Sequence, residues 1–499
     1  MSNKYKIWAV SLAAMVATGC TGSFEEINTD PDAYSKVPYT NMLANVLRRT
    51  ADQYGGDLDI AQWAGYVSEV QYLNNYGGYI PSNNTYGNRW YQTYWGHTQL
   101  QDILDQTEAE PEGNKNMRNV CTLMQSYLIL MCTDCFGDIP YSEAFKGAPE
   151  AGGILKASYD AQSDIYPKIL ANLKTVADSW ADGLGSDALG DGDFLYGGNV
   201  AKWQKFCNSL RLRVAMRISG VYPASQSIVE EILTNPSRYP YITECKDNAY
   251  FWWQGSGDYF ERYYSNFRTR DDDGMAEIFI DHLKKMEDPR LAVVAKPAKN
   301  DGEYRGFENG AAAAPASIHD ISRIGVKYRE DPAGFSPFYR ACENYFIMAE
   351  AALNGWNVPM SAEEAYEQGV RLSMEDNDLD AATADAYLAG KGKWDGTKDR
   401  LYFEWWVALF KQNIEAWSLY RRTGYPTYIH TAKAADGVTP QYPGARSTYK
   451  GIHNDVPFRF PYPQNEYLYN EANVRAAAEG IQDYVWGKQM WWDKRTDVK

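Results

Sequence analysis

Apolar residues recur three or four positions apart through most of this chain, and that spacing predicts a body of helices. In "NVAKWQKFCNSLRLRVAMRIS", Trp203, Phe206, Leu210, Val214 and Ile218 share one face, with Asn199 placed as an N-cap and Gly220 as the stop. In "DRLYFEWWVALFKQNIEAWSLYRRTGYP" the period runs through Leu401, Trp405, Leu409, Ala416 and Tyr420, and Gly424 then Pro426 reads as a glycine C-cap and a breaker. Further helices are expected near 40–54, 58–73, 88–108, 115–133, 158–181, 225–234, 274–287, 338–354, 361–375 and 381–389. Strands do not alternate with helices, so no parallel sheet is expected. The expected class is mostly α: helix pairs with few short strands.

Three stretches break the rhythm: 235–272, 291–337 and 421–470, rich in Gly, Pro and aromatics. Long irregular segments in a compact protein are usually functional or cover something. Within the last, "YKGIHNDVPFRF" near 450–460 reads as a hairpin. The first holds "AYFWWQGSGDYFERYYSNFR", residues 249–268, in which nine of 20 residues are aromatic against 14% overall. A second aromatic cluster, "YLNNYGGYIPSNNTYGNRWYQTYW" (72–95), sets its rings among Asn74, Asn75, Asn83 and Asn84, with Arg89 the one charged residue.

Rings alternating with amides are what a sugar-binding surface requires. A flat ring covers the apolar C–H face of a pyranose, and amides both donate to and accept from hydroxyls. The candidate contacts are Trp252, Trp253, Tyr259, Tyr263, Phe267 and Arg268, with Tyr72, Asn75, Tyr76, Tyr79 and Trp90. Tyr250 and Phe251 are assigned to the core. For any single ring, packing a loop onto the helical body is the competing use.

Composition sharpens this picture. Of 499 residues, 44% are hydrophobic and 23% charged, as in an ordinary globular protein, so the unusual numbers are 39 Tyr and 16 Trp. A net charge of −16 argues against nucleic acid and against adhesion to anionic lipid. "MSNKYKIWAVSLAAMVATGC" has Lys4 and Lys6, an apolar run from Ile7 to Ala17, and small residues before Cys20. That run is too short to span a bilayer, which takes about 20 residues, and reads as a signal peptide. The junction "ATGC" resembles a bacterial lipobox, with Ala17 where Leu is usual. The expected organisation is a lipoprotein signal peptide over 1–19, a lipid-anchored tether over 20–36 starting at lipidated Cys20, and a single α domain over 37–499.

Candidate chemistry is sparse. Six cysteines after Cys20 show no disulfide framework, and the Cys132–Cys135 CxxC lacks a second pair for zinc. No dinucleotide, P-loop, metalloprotease or nucleophile-elbow motif is present. "DDDG" at 271–274 fails the calcium-loop spacing and reads as an acidic turn capping the next helix. Asp187, Asp191 and Asp193 read as a turn-rich loop before a metal site. No cofactor or metal is expected. A carboxylate pair for glycoside hydrolysis is neither excluded by 65 acidic residues nor indicated by any motif.

A series of motifs in fixed order resembles the SusD/RagB family of outer-membrane lipoproteins. They are "FEEINTDPDA" (24–33), "CFGDIPYSEAF" (135–145), "KWQKFCNSLRLRVAMRIS" (202–219), "YFIMAEAALNGW" (345–356), "EAWSLYRRTGYP" (415–426), "RFPYPQNEYLYNEANV" (459–474) and "MWWD" (490–493). The acidic segment after Cys20 looks like the tether of surface lipoproteins of Bacteroidetes. The resemblance implies a scaffold of four TPR-like helix pairs, a SusC-like TonB-dependent transporter as partner, and a position at the cell exterior. It implies capture of a glycan or oligosaccharide, in some members a peptide, passed on without cleavage. Binding residues differ between members, so none is carried over. Gly137, Asp138 and Pro140 look like a turn locking one helix pair, and Glu415, Arg421 and Arg422 like a helix-end charge cluster. An oligopeptide binder, a surface glycan-degrading enzyme and a ligand-free scaffold for the transporter are the alternatives.

Overall fold

The computed structural model describes residues 37–71, 73, 79, 81–311, 313–426, 453, 455–496 and 498, with the backbone of 432–433 and 440–441. Cys20, Tyr72, Asn75 and Tyr76 lie outside the described residues, as do the leader and tether.

About 52% of the described residues are helical. Its longer helices are α1 (Tyr39–Tyr54), α2 (Asn83–Gln106), α3 (Lys115–Phe136), α4 (Gln162–Ala181), α5 (Val200–Arg217), α6 (Ser225–Thr234) and α7 (Glu277–Lys285). They continue with α8 (Ala341–Leu353), α9 (Ala362–Glu375), α10 (Ala381–Ala389), α11 (Lys398–Ala408) and α12 (Asn413–Thr423). Neighbours in sequence pack as pairs: α2 on α3, α3 on α4, α4 on α5, α8 on α9, in the TPR-like manner. From Leu123 to Phe136, α3 is buried on every side, so its few polar groups, Asp134 among them, must find partners inside the protein. Two of the expected caps are present: the Asn199 side chain accepts from the Lys202 amide, and Gly424 ends α12 in the left-handed region at φ 75°, whereas α5 ends at Arg217, short of Gly220.

The turn after α3 does what its residues allow. Gly137 takes φ 85°, and a Cβ there would come 2.7 Å from Arg459 Nη1. Asp138 Oδ1 then accepts from the Gln162 amide at the start of α4 (2.9 Å), and Ile139–Pro140 pairs with Tyr159–Asp160. This turn locks α3 to α4.

Boundaries moved where short apolar runs read equally as helix or strand. The helix expected over 58–73 ends at Trp63, and Val67–Glu69 pairs antiparallel with Asp273–Met275. That second strand takes the start of the helix expected from 274, and Phe335–Tyr339 does the same before α8 while pairing with Ala249–Trp252. Most of the first half of the hairpin expected near 450–460 lies outside the described residues; its second half, 455–460, is not strand. The Phe458 and Phe460 amides donate instead to Trp486 O and Cys135 O.

The acidic runs serve the protein itself. Asp187 caps α3 by accepting from the Asn116 and Met117 amides, and Asp193 accepts from three loop amides and the Trp203 indole. Asp271 does not cap a helix: it pairs with Arg323 and Arg329 at 3.0 and 2.8 Å. Burial pushes the neighbouring Asp273 carboxyl up to about 6. Cys132 and Cys135 are both buried and free; burial raises both thiols, that of Cys135 to about 12, so they pack as small apolar groups.

Glu415, Arg421 and Arg422 do not form one helix-end charge cluster: Glu415 lies in the first turn of α12 and the two arginines in its last, each with its own partners. Arg217 of α5 bridges Asp134 of α3 and Glu415 of α12, while Arg213 joins Glu415 (3.5 Å) to Glu343 of α8 (2.5 Å). All five are buried. Arg421 lies 3.5 Å over the Trp417 ring and donates to Phe458 O, and Arg422 pairs with Glu350 at 2.6 Å. Desolvation raises the Asp134 and Glu343 carboxyls, and the adjoining guanidiniums oppose it. Replacing Arg217 by Met leaves Asp134 and Glu415 buried without their cation. Urea denaturation of that variant is expected to show a loss of about 3–5 kcal/mol.

Candidate functional site

One wall of a cleft beside the 252–259 loop is α1. Its buried face carries Met42, Leu43, Val46 and Leu47, which leaves Asn41, Ala44, Asn45 and Arg48, at i, i+3, i+4 and i+7, along the open side.

The facing wall is the aromatic excursion. Ala249–Trp252 pairs with Phe335–Tyr339, and the Trp253 amide extends the ladder to Gly334 O (3.0 Å). Strand alternation then buries Phe251 and Trp253 and exposes Trp252 and Gln254. The chain turns back through Gly255 at φ 70° and Gly257 at φ 61°, with the Gly255 amide donating to Tyr259 O (3.0 Å). A Cβ on Gly255 would stand 2.8 Å from the Ala333 amide nitrogen, so the close approach to the 331–334 loop also needs glycine. The turn holds Tyr259 out opposite Arg48, whose guanidinium lies 5.8 Å from the ring centre. Phe194, from the loop that Asp193 organises before α5, closes one end 5.9 Å from Phe251.

The cleft encloses about 420 Å³. Trp252 is 54% exposed, Tyr259 45% and Phe194 38%, so three rings face solvent around amides from Asn41, Asn45 and Gln254. Its described lining carries the Arg48 cation and no carboxylate. Such a surface stacks on flat apolar faces and exchanges hydrogen bonds with hydroxyls or amides.

The candidates read from sequence divide sharply. Trp252 and Tyr259 are in the cleft and open. Trp253 is its floor: 5% exposed, with its indole donating to Ser336 Oγ at 2.9 Å. Tyr263 is not a surface contact. It is 1% exposed, its hydroxyl accepts from Asn413, and the Lys411 ammonium sits 4.9 Å from its ring. Tyr79 is likewise core, packed edge-on to Trp486 at 5.2 Å. Phe267 is half-buried beneath Arg329 (4.2 Å), and Arg268 is exposed but lies over Phe260 (4.4 Å); neither lines the cleft. Tyr250 and Phe251 are buried, and Phe251 forms part of the cleft floor.

Trp90 belongs elsewhere. It is 7% exposed beneath a second cleft of about 490 Å³, formed by Asn83, Asn84, Asn88, Tyr91 and Tyr94 of α2 with Pro463, Asn465 and Glu466. The helix expected near 88–108 starts earlier, at Asn83, and so takes in the second half of the 72–95 cluster, where the open ring is Tyr91. Sequence reasoning missed Asn41, Asn45, Arg48 and Phe194. The polar stripe of α1 was the available signal for the first three; nothing in the sequence marked Phe194.

A family profile for SusD-like proteins, described as "Starch-binding associating with outer membrane", matches residues 31–449. No curated protein matches the chain in sequence. Among solved structures, a SusD homolog from Bacteroides uniformis is similar, with a TM-score of 0.76 and 24% identity over 92% of this chain and 100% of the other. A chitin-binding SusD homolog from Flavobacterium johnsoniae has a TM-score of 0.74 and 24% identity over 92% and 98% of the two chains. A SusD-like protein from Bacteroides thetaiotaomicron has a TM-score of 0.72 and 22% identity over 92% and 99%.

The adjacent tryptophans give a clean contrast. Trp252→Ala, which removes a ring more than half exposed but resting on Phe335 (5.4 Å), is expected to cost about 1 kcal/mol, whereas Trp253→Ala should cost about 3–5 kcal/mol. Thermal or urea unfolding of the two variants measures the difference.

Proposed function

Because the chain belongs to the SusD-like family of outer-membrane-associated proteins, we propose that it binds a carbohydrate chain in the cleft between α1 and the 252–259 loop. The observation that carries this reading is the set of solvent-facing rings, Trp252, Tyr259 and Phe194, around amide side chains. Each ring stacked on a sugar adds on the order of 1 kcal/mol beyond area burial, so two or three with their hydrogen bonds give micromolar to millimolar affinity. The protein holds its ligand without cleaving it. Glycoside hydrolysis calls for two carboxylates flanking the bond, and the described lining of this cleft has none.

The chain works at the outer membrane, held by lipid on Cys20 and facing the exterior, and passes its ligand to a SusC-like TonB-dependent transporter. The acyl anchor would sit on a tether spanning residues 20–36 ahead of a single 37–499 domain; no described helix is long and apolar enough to cross a membrane.

Calorimetry against malto- and chito-oligosaccharides tests the binding, the second because one similar structure is described as chitin-binding. Trp252→Ala and Tyr259→Ala are each expected to weaken binding about tenfold while the protein remains folded. Folded protein that binds no glycan, or binds only peptides from a parallel panel, overturns the carbohydrate reading; sugar release by pure protein overturns the non-catalytic one. Cys20→Ala is expected to move the protein from the membrane fraction to the soluble fraction, and metabolic labelling with a fatty acid reads the modification directly.

A further inference from the structure

The two clefts lie on one helix pair. Tyr39 of α1 donates to Gln106 O of α2 (3.5 Å), and Tyr54 donates to Arg89 O (3.0 Å), so the helices run antiparallel and side by side. The open stripe of α1 ends at Arg48. On α2, Asn84, Asn88, Tyr91 and Trp95 fall at i, i+4, i+7 and i+11, which keeps them on one face. The first three are exposed and Trp95 is half-buried.

Arg49 joins the stripes. Its Nε and Arg48 Nη2 both donate to Asn45 Oδ1 (3.3 and 3.2 Å), which lines the first cleft. Its Nη1 donates to Gln92 Oε1 (3.1 Å), and its guanidinium lies 4.4 Å over the Trp95 ring. From there Tyr91 is one turn away, at the second cleft. The helices are antiparallel, so passing from Asn41 to Arg48 and then from Trp95 to Asn84 continues in one direction. At 1.5 Å per residue the path is about 25 Å long.

We propose that the two clefts are the ends of one extended track for a single linear polysaccharide chain, joined across α1 and α2 by Arg49, Trp95 and Gln92. The inference rests on the carbohydrate reading of the first cleft. Rings and amides recur along the track, as successive sugars with similar apolar faces and hydroxyl edges require; the guanidiniums of Arg48 and Arg49 serve its first half and the join, and Glu466 adds an acceptor for hydroxyls at the far end. A short oligosaccharide fills the Trp252–Tyr259 end alone. A longer one gains the second cleft through the same molecule, at the high effective concentration that linkage provides.

Titration calorimetry with dimers and hexamers of the malto- and chito-oligosaccharide series tests this. The hexamer is expected to bind about tenfold more tightly than the dimer, in a single event per chain. Tyr91→Ala removes a ring that is 58% exposed, so unfolding stays unchanged. It is expected to weaken the hexamer about five- to tenfold and leave the dimer as it was, while Trp252→Ala weakens both. Equal affinity for dimer and hexamer, a Tyr91→Ala variant that binds hexamer like the parent, or two hexamers bound per chain each overturns the track while leaving the first cleft standing. Binding of neither sugar at any length removes the carbohydrate reading and the track with it.

Discussion

Two buried arginines on α5 set the relation of four helices. Arg217 reaches Asp134 on one side and Glu415 on the other, and Arg213 continues the line to Glu343. A line of five buried charges adds little net stability over an apolar core of the same shape, because taking ions out of water offsets their attraction. Its effect lies in what it forbids. Any slide of α3, α8 or α12 against α5 strands a charge away from its partner, at a penalty of several kcal/mol. The registers of these helices are thereby fixed together.

The aromatic excursion is tied to this scaffold by a second buried pair. Between α11 and α12 the chain breaks at Lys411, a non-glycine residue at φ 74°, and its ammonium meets Glu261 at 2.9 Å. Tyr263 and Phe335 flank that ammonium with ring centres 4.9 and 4.8 Å away. Burial pulls the Lys411 ammonium down and Glu261 holds it up. Tyr263 is thus an anchor and not a contact. The glycine turn holds Tyr259 from one side, and the buried Tyr263, four residues on, anchors the chain from the other.

A binding wall made of one helix and one braced loop loses little freedom when a ligand arrives. Asn41, Asn45 and Arg48 are set by the helical repeat of α1, while Trp252 is set by a strand whose neighbours are buried. The division of labour in "FWW" is geometric: the same pleat that hides Phe251 and Trp253 exposes Trp252 between them.

Much of the scaffold was legible in the chain itself. The period of α5, its Asn199 cap, the Gly424 stop and the Gly137–Asp138–Pro140 turn follow from local rules about spacing, caps and positive φ, and local rules need no partner. The ordered motifs were sufficient to indicate the family, and the aromatic surplus at 249–268 pointed to the correct loop. Tertiary structure alone decided which rings are open. Trp252 and Trp253 are identical in chemistry and adjacent in sequence, yet only the pairing of 249–252 with 335–339 determines which one faces the ladder and which faces water. The same holds for Phe194, brought to the cleft across more than fifty residues from Trp252, and for Glu415, whose place in a buried line depends on arginines two hundred positions away. Burial and long-range pairing are properties of two segments together, and neither segment carries them by itself.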